Sequence, residues 1–251
     1  MTLTIHALHV GTLTQFPTSA MLFGRRFGEQ HDVAMLMFVI LGGPHPVVVD
    51  TGPTSPARAS SHHPGFQLHQ PPSLRPEAAL QRLGVDPSTV RTVIHTHLHW
   101  DHAGNDDLFP SAQILVQRDE LHYAIAPLAP SRAAYENSPA VAPVWLDQLR
   151  QVRPLDGNME VFEKVRVIHL PGHTPGSQGV VVDTDAGRYL IAGDNVPMYD
   201  SIEDPDVFVP NGAFTNLHDY ERTHRRIREL NCSVIPSHDL RVLERQPFGQ
   251  P

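Results

Sequence analysis

The segment His95-Thr96-His97-Leu98-His99-Trp100-Asp101-His102 places three imidazoles and a carboxylate at four of the six positions from 97 to 102, directly after an apolar run, Val90–Ile94. Imidazole nitrogen and carboxylate oxygen are the donors that suit zinc, iron, cobalt or manganese. On an extended backbone alternate side chains point the same way, so His97 and His99 can face one ion together. Asp101 and His102 follow once the chain has turned and can address a second ion nearby. Gly104 supplies the freedom that a tight turn needs. Histidine occurs 17 times in the 251 residues. The alternative is a surface loop that happens to be rich in His and Asp, but its spacing and the preceding strand favour a metal site.

These residues need elements that hold them. Leu3–Val10, Val33–Leu41 and Val47–Val49 have strand character, the last two joined by Gly42-Gly43-Pro44. Residues 53–76 form a long loop rich in Pro, Ser and His. Pro76–Leu83 is predicted as a helix, with proline at its first position and Gly84 just past its end. Val90–Ile94 and Ile114–Val116 are strands, Arg118–Ile125 is helical, and Ala126–Pro143, with its prolines, is irregular. Val165–Leu170, Gly179–Asp183, Tyr189–Ala192 and Val234-Ile235 are strands, and Asp219–Leu230 is a charged helix. No repeat and no linker divides the pattern, so one domain over residues 1–251 is expected, an α/β fold with two sheets flanked by helices.

Three further polar residues follow apolar strands: His173 after Val165–Leu170, Asp194 after Tyr189–Ala192, and His238 after Val234-Ile235. Taken singly, His173 serves equally as a turn residue, Asp194 as a helix cap or Asx turn, and His238 as a half-buried surface histidine. Taken together, they sit where open α/β sheets gather ligands.

The pattern His97-x-His99-x-Asp101-His102 resembles the signature of the metallo-β-lactamase superfamily. The other motifs come in that superfamily's order: Asp50-Thr51-Gly52 at an early strand end, Leu170-Pro171-Gly172-His173-Thr174-Pro175-Gly176, Ala192-Gly193-Asp194, and Ser237-His238-Asp239. The resemblance covers nearly the whole stretch from Asp50 to Asp239. It implies a four-layer αββα sandwich and two divalent ions, zinc before iron, cobalt or manganese. It also implies that His97, His99 and His173 hold the first ion, that Asp101, His102 and His238 hold the second, and that Asp194 bridges both. Asp50 would orient a ligand or the loop.

Within the superfamily the chain is most similar to the N-acyl-homoserine lactonases. A glutamate would stand at His99 in the flavodiiron branch. The nucleases carry a large inserted domain, the glutathione thiolesterases end in a sizeable helical region, and the β-lactamases often have cysteine at the position of Asp194. The resemblance therefore implies that a metal-bridging hydroxide opens a lactone ring, with Asp101 as proton shuttle. Hydrolysis of another ester, thioester or amide is the alternative, and a non-catalytic metal-binding protein is the rival of another class. The lactonases place a tyrosine three positions after the bridging aspartate. Here Pro197 stands there, and Tyr199 either replaces that tyrosine in polarising the carbonyl or only packs. Trp100 walls the pocket or belongs to the core, and the 53–76 loop, with Phe66 and Leu68, is a lid or a surface excursion.

Composition bounds the partners. Net charge is −8 and the pI about 6.1, which argues against a nucleic-acid scaffold. The arginines at 222, 225, 226 and 228 read as a solvated helix face. The longest apolar run, Val33–Leu41, is too short to cross a bilayer. One cysteine, Cys232, and no signal-peptide pattern at the start fit a reducing, cytoplasmic setting. The expected partner is a small apolar-substituted lactone, with no nucleic acid and no membrane; a homodimer is open to it.

Overall fold

The computed structural model describes residues 2–139, 141–204 and 206–250. In its first half the chain forms β1 (Thr4–Pro17), a short turn of helix α1 (Thr18–Met21), β2 (Gln30–Leu41), β3 (Val47–Val49), α2 (Pro56–His62), β4 (Leu68–His69), α3 (Pro76–Leu83), β5 (Thr92–Ile94), β6 (Gln113–Gln117), α4 (Arg118–Ile125) and β7 (Val152–Leu155). The second half adds β8 (Met159–Phe162), β9 (Val165–His169), β10 (Gln178–Thr184), β11 (Gly187–Ile191), α5 (Leu217–Glu229), β12 (Ser233–Ile235) and α6 (Arg241–Arg245). One sheet runs β4-β1-β2-β3-β5-β6-β7 and the other β12-β11-β10-β9-β8. Among the described residues no helix is long and apolar enough to cross a membrane.

Strand alternation builds the layers. In β2, Ala34, Leu36, Phe38 and Ile40 join Val165, Val167, Val180 and Val182 in the core between the sheets. Val33, Met35, Met37 and Val39 face the other way, onto Ala79 and Leu80 of α3. Ile227 of α5 covers the far face of the second sheet with Val181 and Leu190. The result is αββα. Each large side chain gains roughly 1.5–3 kcal/mol on burial, and both faces of β2 contribute that gain because both are apolar and covered.

The bounds expected for the helices at 76–83 and 118–125 match α3 and α4. Gly84 closes α3 at φ 74°, a left-handed position that glycine adopts freely. The 53–76 segment is not a loose loop. Ser55 caps α2, its hydroxyl accepting from the Arg58 amide, and β4 pairs antiparallel with Thr12 and Leu13 of β1. Edge strands β7 and β8 lie outside the expected strands, being four residues each; Pro154 is tolerated at the sheet's end, where an amide donor can be spared.

The topology gathers one edge. β3 and β5 run parallel in the first sheet, as do β11 and β12 in the second, and β9 shares their direction through two antiparallel pairings with β10. Hence the segments after β3, β5, β9, β11 and β12 all emerge at strand C-terminal ends. Backbone bonds Gln178 N–H to Thr96 O, 2.9 Å, and Ala34 N–H to His238 O, 3.1 Å, tie the sheets together there.

Candidate metal centre

His97, His99 and His102 follow β5, His173 follows β9, Asp194 follows β11 and His238 follows β12. The structure brings all six together with Asp101. Nε2 of His97 lies 2.9 Å from Nδ1 of His99, and Nε2 of His173 lies 3.2 Å from each of them. Three buried imidazole nitrogens so close leave at most a shared proton between neighbours, whereas one cation would satisfy all three lone pairs. Across the site, Asp194 Oδ2 is 3.5 Å from His173 Nε2, while Oδ1 is 3.2 Å from His102 Nε2 and 2.9 Å from His238 Nε2. Asp101 Oδ2 lies 3.8 Å from His238 Nε2 and 3.9 Å from His102 Nε2.

Whether these residues fit a metal is decided by their unspent atoms. Nε2 of His102 and of His238 are buried without a well-formed hydrogen bond, although Oδ1 of Asp194 is 3.2 and 2.9 Å away. Three overlapping sets have ligand atoms within 4.8 Å of one another: His97, His99 and His173; His97, His102 and Asp194; Asp101, His102 and His238. The donor chemistry and the orphaned nitrogens fit two divalent ions.

The opposite ring nitrogens are engaged, which fixes each ring. His102 Nδ1 pairs with Asp50 Oδ2 at 2.8 Å, His173 Nδ1 with Ala213 O at 2.6 Å, and His238 Nδ1 with Ala34 O at 2.8 Å. Asp50 itself sits at φ 57°, an uncommon conformation for a residue with a Cβ. It is held there by the amide and hydroxyl of Thr96, 2.7 and 2.8 Å away. Asp194 accepts from Ser237 Oγ on Oδ1 and Asn211 Nδ2 on Oδ2, and its carbonyl accepts from Tyr220 Oη. Each carboxylate oxygen is thereby aimed at a different set of imidazoles.

Electrostatics follow from burial. Desolvation, then the neighbouring histidines, push His97 and His99 well below the usual imidazole range, so they stand as neutral donors. Burial also opposes charge on His102 and His238, but the carboxylates of Asp194 and its neighbours outweigh it and raise both. Burial penalises the Asp194 carboxylate, yet His238, His102 and His173 hold it well below the usual carboxylate range.

Several residues that position this centre carry no spacing signal. Glu120, buried in the first turn of α4, accepts from the Leu98 amide at 2.9 Å, Tyr135 Oη at 2.8 Å, Thr174 Oγ1 at 2.5 Å and the Gly176 amide at 3.2 Å. It thereby clamps the His97–His99 segment to the His173 loop. The Tyr135 ring packs edge-on against His99, centroids 4.7 Å apart. In the sequence Glu120 resembles any acidic residue in a first helical turn. Asn211 lies in irregular chain, where only the fold reveals it. Gly104 acts by absence of bulk rather than by a special turn: a Cβ would stand 2.5 Å from the Thr54 amide and 2.7 Å from Gly52 O.

The structure does not bring Tyr199 to the cluster. Its ring lies beneath the guanidinium groups of Arg245 and Arg241, 4.2 and 5.4 Å from the centroid, and its amide donates to Asp239. A cavity of about 350 Å³ opens over the cluster and is lined without Tyr199. Its walls are Leu13, Phe16, Met21, Phe66 and Trp100, with His63, Asn211, His99, Asp101, His173 and Asp194 among the polar groups. Trp100 is both expected things at once: 5% exposed, packed in the core, and part of the cavity wall.

An αββα sandwich with a histidine–aspartate cluster across its strand ends is the class of protein that fold and site define. The chain belongs to the metallo-β-lactamase superfamily, whose family model matches residues 36–238. An N-acyl homoserine lactonase from a Bacillus species is 26% identical over 221 residues, covering 85% of this chain and 84% of its own. N-acyl homoserine lactonase AiiA of Bacillus thuringiensis subsp. kurstaki is 26% identical over 162 residues, 64% of this chain and 60% of that relative's length. A solved N-acyl homoserine lactone hydrolase with the product N-hexanoyl-L-homoserine at its catalytic metal center superposes with a TM-score of 0.80 at 21% identity. It covers 100% of this chain and 99% of its own, a likeness of fold.

Proposed function

We propose that this protein is a metal-dependent hydrolase that opens the ring of N-acyl homoserine lactones or related lactones. The reading is carried by Asp194, whose Oδ1 faces His102 and His238 while its Oδ2 faces His173. In this assignment His97, His99 and His173 hold one divalent ion, Asp101, His102 and His238 hold another, and Asp194 is shared. Zinc suits the donors, with iron, cobalt and manganese as alternatives. Bound there, the ions lower the pKa of water and polarise a carbonyl oxygen.

The remaining work falls to the chain. Ser237, Asn211 and Tyr220 keep Asp194 oriented, and Asp50 keeps His102 oriented. The apolar wall receives the acyl chain and keeps water from the rest of the substrate. Asp101, which lines the cavity together with Asp194, has the more exposed side chain, 14% against 7%. It carries a proton to the ring oxygen as the acyl–oxygen bond breaks, which matters because that oxygen stays tethered and recloses the ring unless protonated. Net, one water is consumed, and a carboxylate, an alcohol and a proton result. Tyr199 takes no part, given its packing beneath Arg245. Among the described residues no lysine or arginine lines the cavity to receive the carboxylate of a β-lactam.

The test is to measure the metals of gently purified protein and to screen lactones, esters, thioesters and β-lactams. Close to two ions per chain are expected, and kcat/KM for an apolar lactone should exceed that for any β-lactam by at least about a hundredfold, roughly 3 kcal/mol. One ion in fully active protein, or thioesters turned over better than every lactone, would overturn the reading.

A further inference from the structure

Asp194 turns one oxygen to each half of the cluster, and each oxygen has its own holder. Oδ1, which faces His102 and His238, accepts from Ser237 Oγ at 2.8 Å. Oδ2, which faces His173, accepts from Asn211 Nδ2 at 3.1 Å. The other end of the Asn211 carboxamide is engaged as well. Its Oδ1 accepts from the Ala213 amide at 2.9 Å and so closes the turn 211–213, whose Ala213 carbonyl pairs with His173 Nδ1 at 2.6 Å. One side chain, in a residue only 1% exposed, therefore reaches Asp194 directly and His173 through the turn. Its orientation is fixed, because only Nδ2 can face a carboxylate and only Oδ1 can face an N–H. The backbone is fixed too: the Asn211 amide donates to Tyr220 Oη at 3.2 Å, and that hydroxyl donates to the Asp194 carbonyl at 2.6 Å. Just past the turn, the Thr215 amide donates to Gly172 O at 3.0 Å, beside His173. None of these bonds reaches Asp101, His102 or His238.

We propose that Asn211 is the positioning residue of the first ion site, that of His97, His99 and His173, and that Ser237 is its counterpart in the second, so that the two sites sharing Asp194 are tuned separately. The inference rests on the two-ion assignment in the reading above and deepens it. Outer partners of this kind fix how a ligand atom is aimed and how firmly it is held. With Ser237 still on Oδ1, loss of the Asn211 donor lets Oδ2 swing while Oδ1 stays. Loss of the Asn211 acceptor also releases the turn whose carbonyl pins the His173 ring. Both effects fall on first-site ligands. Loss of the Ser237 hydroxyl frees Oδ1 instead, on the side of His102 and His238, and leaves His173 pinned.

The experiment reads zinc affinity by chelator competition in two backgrounds of the full chain. His238→Ala leaves the first site as the tighter one, and His173→Ala leaves the second. Asn211→Leu keeps the shape of the side chain and removes both polar ends. It should weaken zinc by about tenfold to a hundredfold in the His238→Ala protein and by no more than about threefold in the His173→Ala protein. Ser237→Ala should show the reverse. A general loss of folding would lower both backgrounds alike, so the split between them is the signature of positioning. If Asn211→Leu does not fold, Asn211→Ala is read in the same two backgrounds against the same expectation. Equal losses in the two backgrounds, no loss in the first, or a Ser237→Ala protein weakened as much at the first site as at the second would each overturn the inference and leave the lactonase reading standing. A wild-type chain that binds fewer than two zinc ions overturns the two-ion assignment and this inference with it.

Discussion

The ligand cluster and the cavity wall beside it are built by opposite means. Every imidazole nitrogen that turns away from the centre of His102, His173 and His238 is pinned by a carboxylate or carbonyl, and the ligands sit just past strand ends of two sheets sharing one core. The wall is made of the end of β1 with Leu13 and Phe16, the short helix α1, the chain between α2 and β4 with His63 and Phe66, and the irregular chain around Ala134. They are held by ring packing among His62, His63, Phe66 and Trp100 and by the Arg58–Glu136 pair. The difference teaches that chemistry and selectivity are separable here. The cluster is over-determined by buried polar bonds, while the wall is held mainly by packing.

Four substitutions would break or sharpen that division. Asp194→Ala should have the largest effect: loss of the second ion and at least about a thousandfold loss of turnover, with the fold retained by circular dichroism. Its carboxylate would offset the repulsion between two cations held there. A variant keeping both ions and wild-type turnover would show that the cluster is not organised around Asp194.

Glu120→Ala should come next. It strips one acceptor from Leu98, Tyr135, Thr174 and Gly176 together, so metal affinity or activity should fall by about tenfold to a hundredfold. Metal titration would show it, and Glu120→Gln should recover part of the loss. Unchanged affinity in Glu120→Ala would mean that the two ligand loops hold their register unaided.

Arg58→Ala tests the wall. It removes the guanidinium from buried Glu136, leaving His62 3.1 Å away as its ion-pair partner among the described residues, and frees α2. KM for a long-chain lactone should rise several-fold with kcat within about twofold; a collapse of kcat would mean that wall and cluster are one unit. Tyr199→Phe should be the smallest, with kcat and metal content unchanged within about twofold. A loss of tenfold or more would return its hydroxyl to the oxyanion.

Much of the metal centre is legible in the amino-acid sequence. His97-x-His99-x-Asp101-His102 after an apolar run carries its chemistry in local spacing, and α3 announces itself through Pro76 and Gly84. Capping is legible in part: Ser55-Pro56 marks a helix start, yet α2 is obscured by the prolines and histidines around it. β4 cannot be read, since two residues have no period and exist as a strand only because β1 offers them an edge.

The sequence by itself determined which atoms could bind metal, in what order they come, and that strands precede them, because ligand type and strand period are properties of neighbours in the chain. Only the tertiary structure decided that Glu120 joins two ligand loops, that Asn211 steadies Asp194, that Tyr199 lies beneath Arg245 rather than over the cluster, and that His63 faces the cavity. Each of these rests on partners up to scores of residues away, 56 between Glu120 and Gly176. Such a contact is set by how two sheets pack and where their connections cross, and no local pattern records it.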